Sequence, residues 1–180
     1  LVIVGPPKTR RYVETSRAVL DMYINYEIVV HEFDEPGVVY EGDGFSIRSF
    51  ELRHTKPCFG YCLEESDRPG VFYPDRAREL GVPEGPLWSV LQRGESVQTG
   101  GGTVRPDDVL GPARQGRKFS YVTDTVYFDG VAEHVGDSDL FVCEGMFTNE
   151  LQESAREKRH LTAAQAARIA KRAGNVGRLG

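Results

Sequence analysis

His54, Asp124, Glu144 and His160 lie far apart in the chain, yet they are the residue types that hold a divalent metal and move protons. Two strand-like runs end on a carboxylate, Val122-Thr123-Asp124 and Phe141-Val142-Cys143-Glu144. An acid at the end of a hydrophobic strand loses part of its solvation, so it needs a partner. One partner is local: Asp is common where a strand gives way to a turn, and Thr123 or Thr125 could hydrogen-bond Asp124. The other is a cation. His54 closes the run FSIRSFELRH, and His160 stands just before a helix start. In layered α/β proteins, groups at strand ends can converge on one edge of the sheet, and imidazole with carboxylate suits a borderline metal such as Zn²⁺. Each residue also has a plainer explanation: a turn histidine at 54, a turn-capping glutamate at 144, a surface histidine at 160. A structural zinc would need closely paired Cys or His, and no such spacing occurs. Cys58 and Cys62 read as core cysteines, and His31 and His134 as ordinary ones.

The elements that must bring these residues together fit in 180 residues, enough for one sizeable core or a domain with an appendage. Apolar content of 39% and charged content of 27% belong to a soluble globular protein, and no apolar run approaches a membrane span. Three cysteines do not make a disulfide framework and suit a reducing cytoplasm. With 22 basic and 27 acidic residues the net charge is −5, which gives no support to a general nucleic-acid binder. Any such contact has to be local, and the basic clusters at 8–11, 114–118 and 156–160 read first as solvated faces. The chain starts LVIVGPP and stops at NVGRLG, both strand-like, which predicts a fragment of a larger domain.

Residues 1–5 read as a buried strand, followed by a helix over 8–22 with Tyr12, Val13, Ser16, Val19, Leu20 and Tyr23 along one face. Strands are predicted at 26–33, 37–43, 45–54 and 59–65, the last two a hairpin around Lys56-Pro57. From 66 to 116 the sequence is dense in Gly, Pro and charge, with short helices at 74–80 and 87–92; it reads as a protruding arm or a disordered insert. A buried strand follows at 118–123, then a short helix at 130–135, a strand at 139–143, and a helix at 150–158 with Asn149 as its cap. Thr162 and Gln165 form a capping-box pattern. The alanines at 163, 166, 167, 170 and 173 give the last helix a face able to lie close against a sheet, and Gly174 stops it. Alternating strands and helices with an antiparallel meander predict an α/β or α+β sandwich.

The order of these segments resembles the ribonuclease Z family of the metallo-β-lactamase superfamily, over nearly the whole chain. LVIVGPPKTRRYVET is similar to the family's strand–Gly-Pro–helix segment, and ELRHTKPCFGYCLEE to its histidine strand and hairpin. LGVPEGPLWSVLQRGESV and GPARQGRKFSYVTDT resemble the Gly-Pro-containing arm and the return strand with its metal-ligand aspartate. CEGMF and HLTAAQAARIAKRAG resemble two later paired motifs. Cys143 stands where the family has a histidine that is not a metal ligand.

The resemblance implies an incomplete αββα metallo-β-lactamase-type sandwich: core parts at 1–65 and 117–180 and, at 66–116, an arm that grips tRNA around Gly85-Pro86. It implies that His54 and Asp124 are ligands in a two-Zn²⁺ site, with Asp124 bridging, and that Glu144 and His160 serve proton transfer and phosphate orientation. It further implies a cytoplasmic, commonly homodimeric endoribonuclease that trims the 3′ trailer from precursor tRNA, with no membrane association. The family's His-x-His-x-Asp-His motif is not among these residues; it is expected before Leu1, and a last ligand histidine after Gly180. Two other readings stand beside this one: a fold relative acting on a small phosphodiester, with the arm used for dimerisation, and a non-catalytic binding or scaffold protein.

Overall fold

A computed structural model describes all 180 residues, Leu1–Gly180. In chain order the elements are β1 (Val2–Gly5), α1 (Thr9–Val19), β2 (Val29–Glu32), β3 (Gly37–Gly42), β4 (Phe45–Leu52), β5 (Cys58–Glu65), α2 (Pro74–Glu79), α3 (Pro86–Gln92), β6 (Val97–Thr99), β7 (Gly102–Val104), α4 (Pro106–Val109), β8 (Lys118–Val122), α5 (Gly130–Val135), β9 (Leu140–Cys143), α6 (Gln152–Lys158) and α7 (Ala163–Ala173). They divide into two compact units, one formed by residues 1–65 and 117–180 and the other by residues 66–116.

In the first unit a five-stranded mixed sheet runs in the order β3-β4-β5-β8-β9. β4 pairs antiparallel with β5 from Phe45↔Glu65 to Leu52↔Cys58, β5 pairs antiparallel with β8, and β8 pairs parallel with β9. One face is apolar: Phe50, Leu52, Cys62, Val122 and Phe141 pack against Val131 and Val135 of α5 and Ile169 of α7. The Phe50 ring lies over Gly60, where an added Cβ would sit 2.4 Å from a ring atom, so the cross-strand position takes no side chain. A buried polar chain crosses the same layer: the Cys62 thiol and Ser120 hydroxyl are 3.2 Å apart, Ser120 and Ser138 are 2.7 Å apart, and Ser138 donates to the Val135 carbonyl. His134 stacks on Phe50 at 4.4 Å, and burial lowers its imidazole pKa.

On the other face, β1 and β2 form a separate parallel pair, with Val2 and Val4 facing Ile47, Tyr61, Leu63 and Phe119 across an apolar groove. Phe33 adds edge contacts to Phe59 and Tyr61. Residues 1–5 are therefore not the buried strand their composition predicts, because Leu1 and Val2 stay exposed. The predicted helix ends at Val19, short of Tyr23, and its apolar face is not covered either, with Tyr12 73% and Val19 76% exposed. Lys118–Val122 alternates rather than being uniformly buried, since Phe119 and Tyr121 point away from the core that Ser120 and Val122 enter.

The last helix carries its capping box: Gln165 N–H donates to the Thr162 hydroxyl, and the Thr162 N–H to the Gln165 side chain. Its buried contacts come from Ala166 and Ile169 and its main neighbour is α5, so only part of the alanine face is covered. Asn149 does not cap α6. It opens a 3₁₀ turn, Asn149–Leu151, that leads into the helix. After α7 the backbone of 178–180 bonds β9: Phe141 N–H to Arg178, Cys143 N–H to Gly180, and Gly180 N–H back to Phe141. The strand-like reading of 176–179 thus has its partner.

The second unit has its own core of Ala77, Val82, Leu91, Val97, Val104 and Val109, with Phe72, Leu87 and Trp88 packed against it. Trp88 donates to the Val82 carbonyl at 3.2 Å and meets the Phe72 ring at 5.2 Å. The many Gly and Pro residues mark turns around this core, with Gly85 at φ 138° and Pro86 starting α3. A segment that composition alone could assign to disorder is ordered by a small hydrophobic cluster.

Candidate metal centre

Strand direction explains why the four residues meet. β4 and β8 each run antiparallel to β5, so they run the same way, and β9 is parallel to β8. Their C-terminal ends leave one edge of the sheet, the end where open α/β sheets carry their sites. Arg53-His54 follows β4, Thr123-Asp124 follows β8, and Glu144 follows β9 at once. β5 separates β4 from β8, a gap of roughly 10 Å across two strand spacings. The chain after β8 closes it: Val126 N–H donates to the Arg53 carbonyl and Arg53 N–H to the Thr125 hydroxyl, each at 3.0 Å.

Thr125 is fully buried and ties three segments together. Its N–H donates to Glu144 Oε1 at 2.8 Å, and its hydroxyl accepts from Arg53 and donates to the Val126 carbonyl. The expectation that a neighbouring threonine hydroxyl holds Asp124 is thus replaced: the hydroxyl of Thr125 bonds backbone, and the Asp124 carboxylate faces two imidazoles. Asp124 Oδ2 is 4.0 Å from His54 Nε2, and Oδ1 is 3.6 Å from His160 Nδ1.

His160 comes from the junction of α6 and α7. That junction is pinned to the segment after β9, where Phe147 N–H donates to the Leu161 carbonyl and Ala163 N–H to the Phe147 carbonyl. The His160 ring is 15% exposed and Glu144 10%, with Nδ1 3.2 Å from Glu144 Oε2. A carboxylate only accepts, so this contact puts the proton on Nδ1 and leaves Nε2 of a neutral ring with the lone pair.

His54 is fixed from the same junction. Its Nδ1 is 3.1 Å from the Arg159 carbonyl, which can only accept, so Nδ1 carries the proton and the Nε2 lone pair is free on the side of Asp124. Arg159 Nη1 donates in return to the His54 carbonyl at 2.8 Å. Arg159 ends α6 at φ 60°, ψ 46°, a left-handed conformation that costs a non-glycine residue about 1–2 kcal/mol.

The donor set suits a metal. His54, Asp124 and His160 offer ligand atoms that lie within 4.8 Å of one another. The 4.0 Å between His54 Nε2 and Asp124 Oδ2 is too long for a hydrogen bond. It leaves room for a shared Zn²⁺, whose bonds to such atoms are about 2.0–2.2 Å. The Asp124 side chain is 47% exposed, so the carboxylate is open to solvent. His160 is less suited as a ligand through Nδ1, because Glu144 occupies that nitrogen.

All four residues singled out in the sequence therefore fall in one cluster. Gly85 and Pro86 belong to the second unit. Thr125 is named in the sequence only as a possible partner of Asp124 and Arg159 not at all: a buried threonine beside an acid has no signal for holding Glu144, and Arg159 sits inside the charge run REKRH, which reads as solvated. Its one sequence clue is position, a residue between a helix end and a capping box, where the backbone must turn.

No family model matches the chain. The sequence is similar to "Ribonuclease Z" of Treponema denticola, 61% identical over 172 residues, 95% of this chain and 56% of that protein. The chain spans about half the length of the curated relatives it matches. Human tRNase Z, short form, superposes with a TM-score of 0.63 at 18% identity, covering 99% of this chain and 59% of that one. The metallo-beta-lactamase fold protein YhfI from Bacillus subtilis superposes at 0.54 with 16% identity, covering 99% and 49%. These likenesses place the mixed sheet and its helices in the metallo-β-lactamase fold.

Proposed function

We propose that this chain, a homologue of ribonuclease Z with a metallo-β-lactamase fold, is part of a zinc-dependent endoribonuclease that removes the 3′ trailer from precursor tRNA. The observation that carries this reading is the meeting of His54, Asp124, Glu144 and His160 at one sheet edge. His54 through Nε2 and Asp124 would hold the metal, with the remaining ligands coming from residues other than these two. When bound, the metal supplies Lewis-acid stabilisation of the phosphoryl oxygens.

The chain's own residues supply the rest. Glu144 holds the Nδ1 proton of His160 and stabilises the ring when it is charged, so Nε2 is the nitrogen that passes a proton to the leaving oxygen or donates to a phosphate oxygen. Glu144 is itself oriented by the Thr125 N–H, which keeps the pair from rotating. His160 stands three residues before the first residue of α7, an 11-residue helix whose N-terminal partial positive charge favours an anion nearby. The second unit, with Gly85 and Pro86, is read as the part that contacts folded tRNA by shape and backbone, which suits a net charge of −5. Self-association and a reducing, cytoplasmic setting belong to the same reading; the exposed side chains of α1 and the three free cysteines support them.

The test is Asp124→Ala in the full-length protein. Cleavage of precursor tRNA should be lost and bound zinc, measured by metal analysis, should fall. Retained zinc together with retained cleavage would remove Asp124 from the metal site and overturn the reading.

A further inference from the structure

We propose that Arg159 is a positioning residue for His54, holding the histidine in the tautomer that turns a free Nε2 toward Asp124. The inference rests on reading His54 as a metal ligand and deepens it. Two bonds run in opposite directions between the same pair of residues, 105 positions apart in sequence. The His54 ring donates to the Arg159 carbonyl at 3.1 Å, and the Arg159 guanidinium donates to the His54 carbonyl at 2.8 Å.

Each bond alone would leave a degree of freedom. The carbonyl contact selects the Nδ1–H tautomer but lets the turn after β4 shift. The guanidinium contact anchors that turn but does not choose a tautomer. Together they lock ring and backbone, which is how acceptors behind a metal-binding imidazole set its orientation and basicity.

The backbone of Arg159 gives a second, independent reason. At φ 60° this residue closes α6, with the His160 N–H returning to the Ala155 carbonyl. Glycine is the usual occupant of such a position. The left-handed turn aims the Arg159 carbonyl at the His54 ring and delivers His160 to Glu144 in the next residue. One helix end thereby places both histidines, whose rings lie 5.2 Å apart.

The experiment compares Arg159→Gly, Arg159→Lys and His54→Ala in the full-length protein. Glycine keeps the turn and the carbonyl while removing the guanidinium; lysine restores a cation donor. In the metal-free protein, long-range ¹H–¹⁵N spectra read the His54 tautomer. Zinc affinity is read by competition with a chelator. The proposal expects a single Nδ1–H tautomer in the parent and averaged tautomers in Arg159→Gly, because without the guanidinium the turn after β4 shifts and carries the ring away from the retained carbonyl. It also expects affinity about 10-fold lower in Arg159→Gly, with partial recovery in Arg159→Lys. Unchanged tautomer and affinity in Arg159→Gly, with affinity reduced in His54→Ala, would overturn the role of Arg159 and leave the metal reading standing. Unchanged affinity in His54→Ala would overturn both.

Discussion

Cys143 pairs with Val122 at the end of β9 and immediately precedes Glu144. Burial, reinforced by the Glu144 charge, pushes its thiol up to about 12. The thiol therefore stays protonated at neutral pH, and the residue fills space beside the site. Alkylation with iodoacetamide at pH 8 should leave Cys143 unmodified in the folded protein and label it quickly in urea, as followed by peptide mass spectrometry. Rapid labelling in the native state would mean that this corner of the sheet opens. Cys58 is shifted the same way, first by burial and then by Asp124, so neither cysteine is primed for attack.

At the scale of elements, α7 is closed at its first turn by a capping box. Thr162 is fully buried and its hydroxyl accepts the Gln165 N–H. Thr162→Ala should destabilise the protein by about 1 kcal/mol, the typical worth of such a cap, measured by urea denaturation. Because His160 lies two residues upstream, the same substitution should reduce cleavage in the full-length protein even where the protein remains folded. The capping box was legible because it is a local pattern of four residues. The face of α1 was legible as a pattern but not as a contact, since Tyr12 and Val19 stay exposed.

For the whole molecule, the second unit is inserted where β5 ends and β8 begins. These ends are held together without it: Glu65 N–H donates to the Arg117 carbonyl, and the Arg117 guanidinium bonds both Glu65 carboxylate oxygens at 3.0 and 2.7 Å. Replacing residues 66–116 by a short linker in the full-length protein should therefore leave the sheet folded. Precursor-tRNA cleavage should then fall at least about 10-fold, with little change on a small phosphodiester, because remote binding energy serves only the large substrate. Equal losses on both substrates would make the unit structural.

What the sequence determined by itself was local or patterned: the alternation that defines strands, the Gly-Pro density of 66–116, the capping box, and the residue types able to bind a metal. Those signals depend on neighbours a few positions apart. Only the tertiary structure decided that His54, Asp124, Glu144 and His160 share one edge, since that follows from strand direction across β5 and from the pinning of the α6–α7 junction. It alone decided that Thr125 and Arg159 hold them in place. Such roles arise from hydrogen bonds between residues 72 and 105 positions apart, over which chain order carries no geometric information.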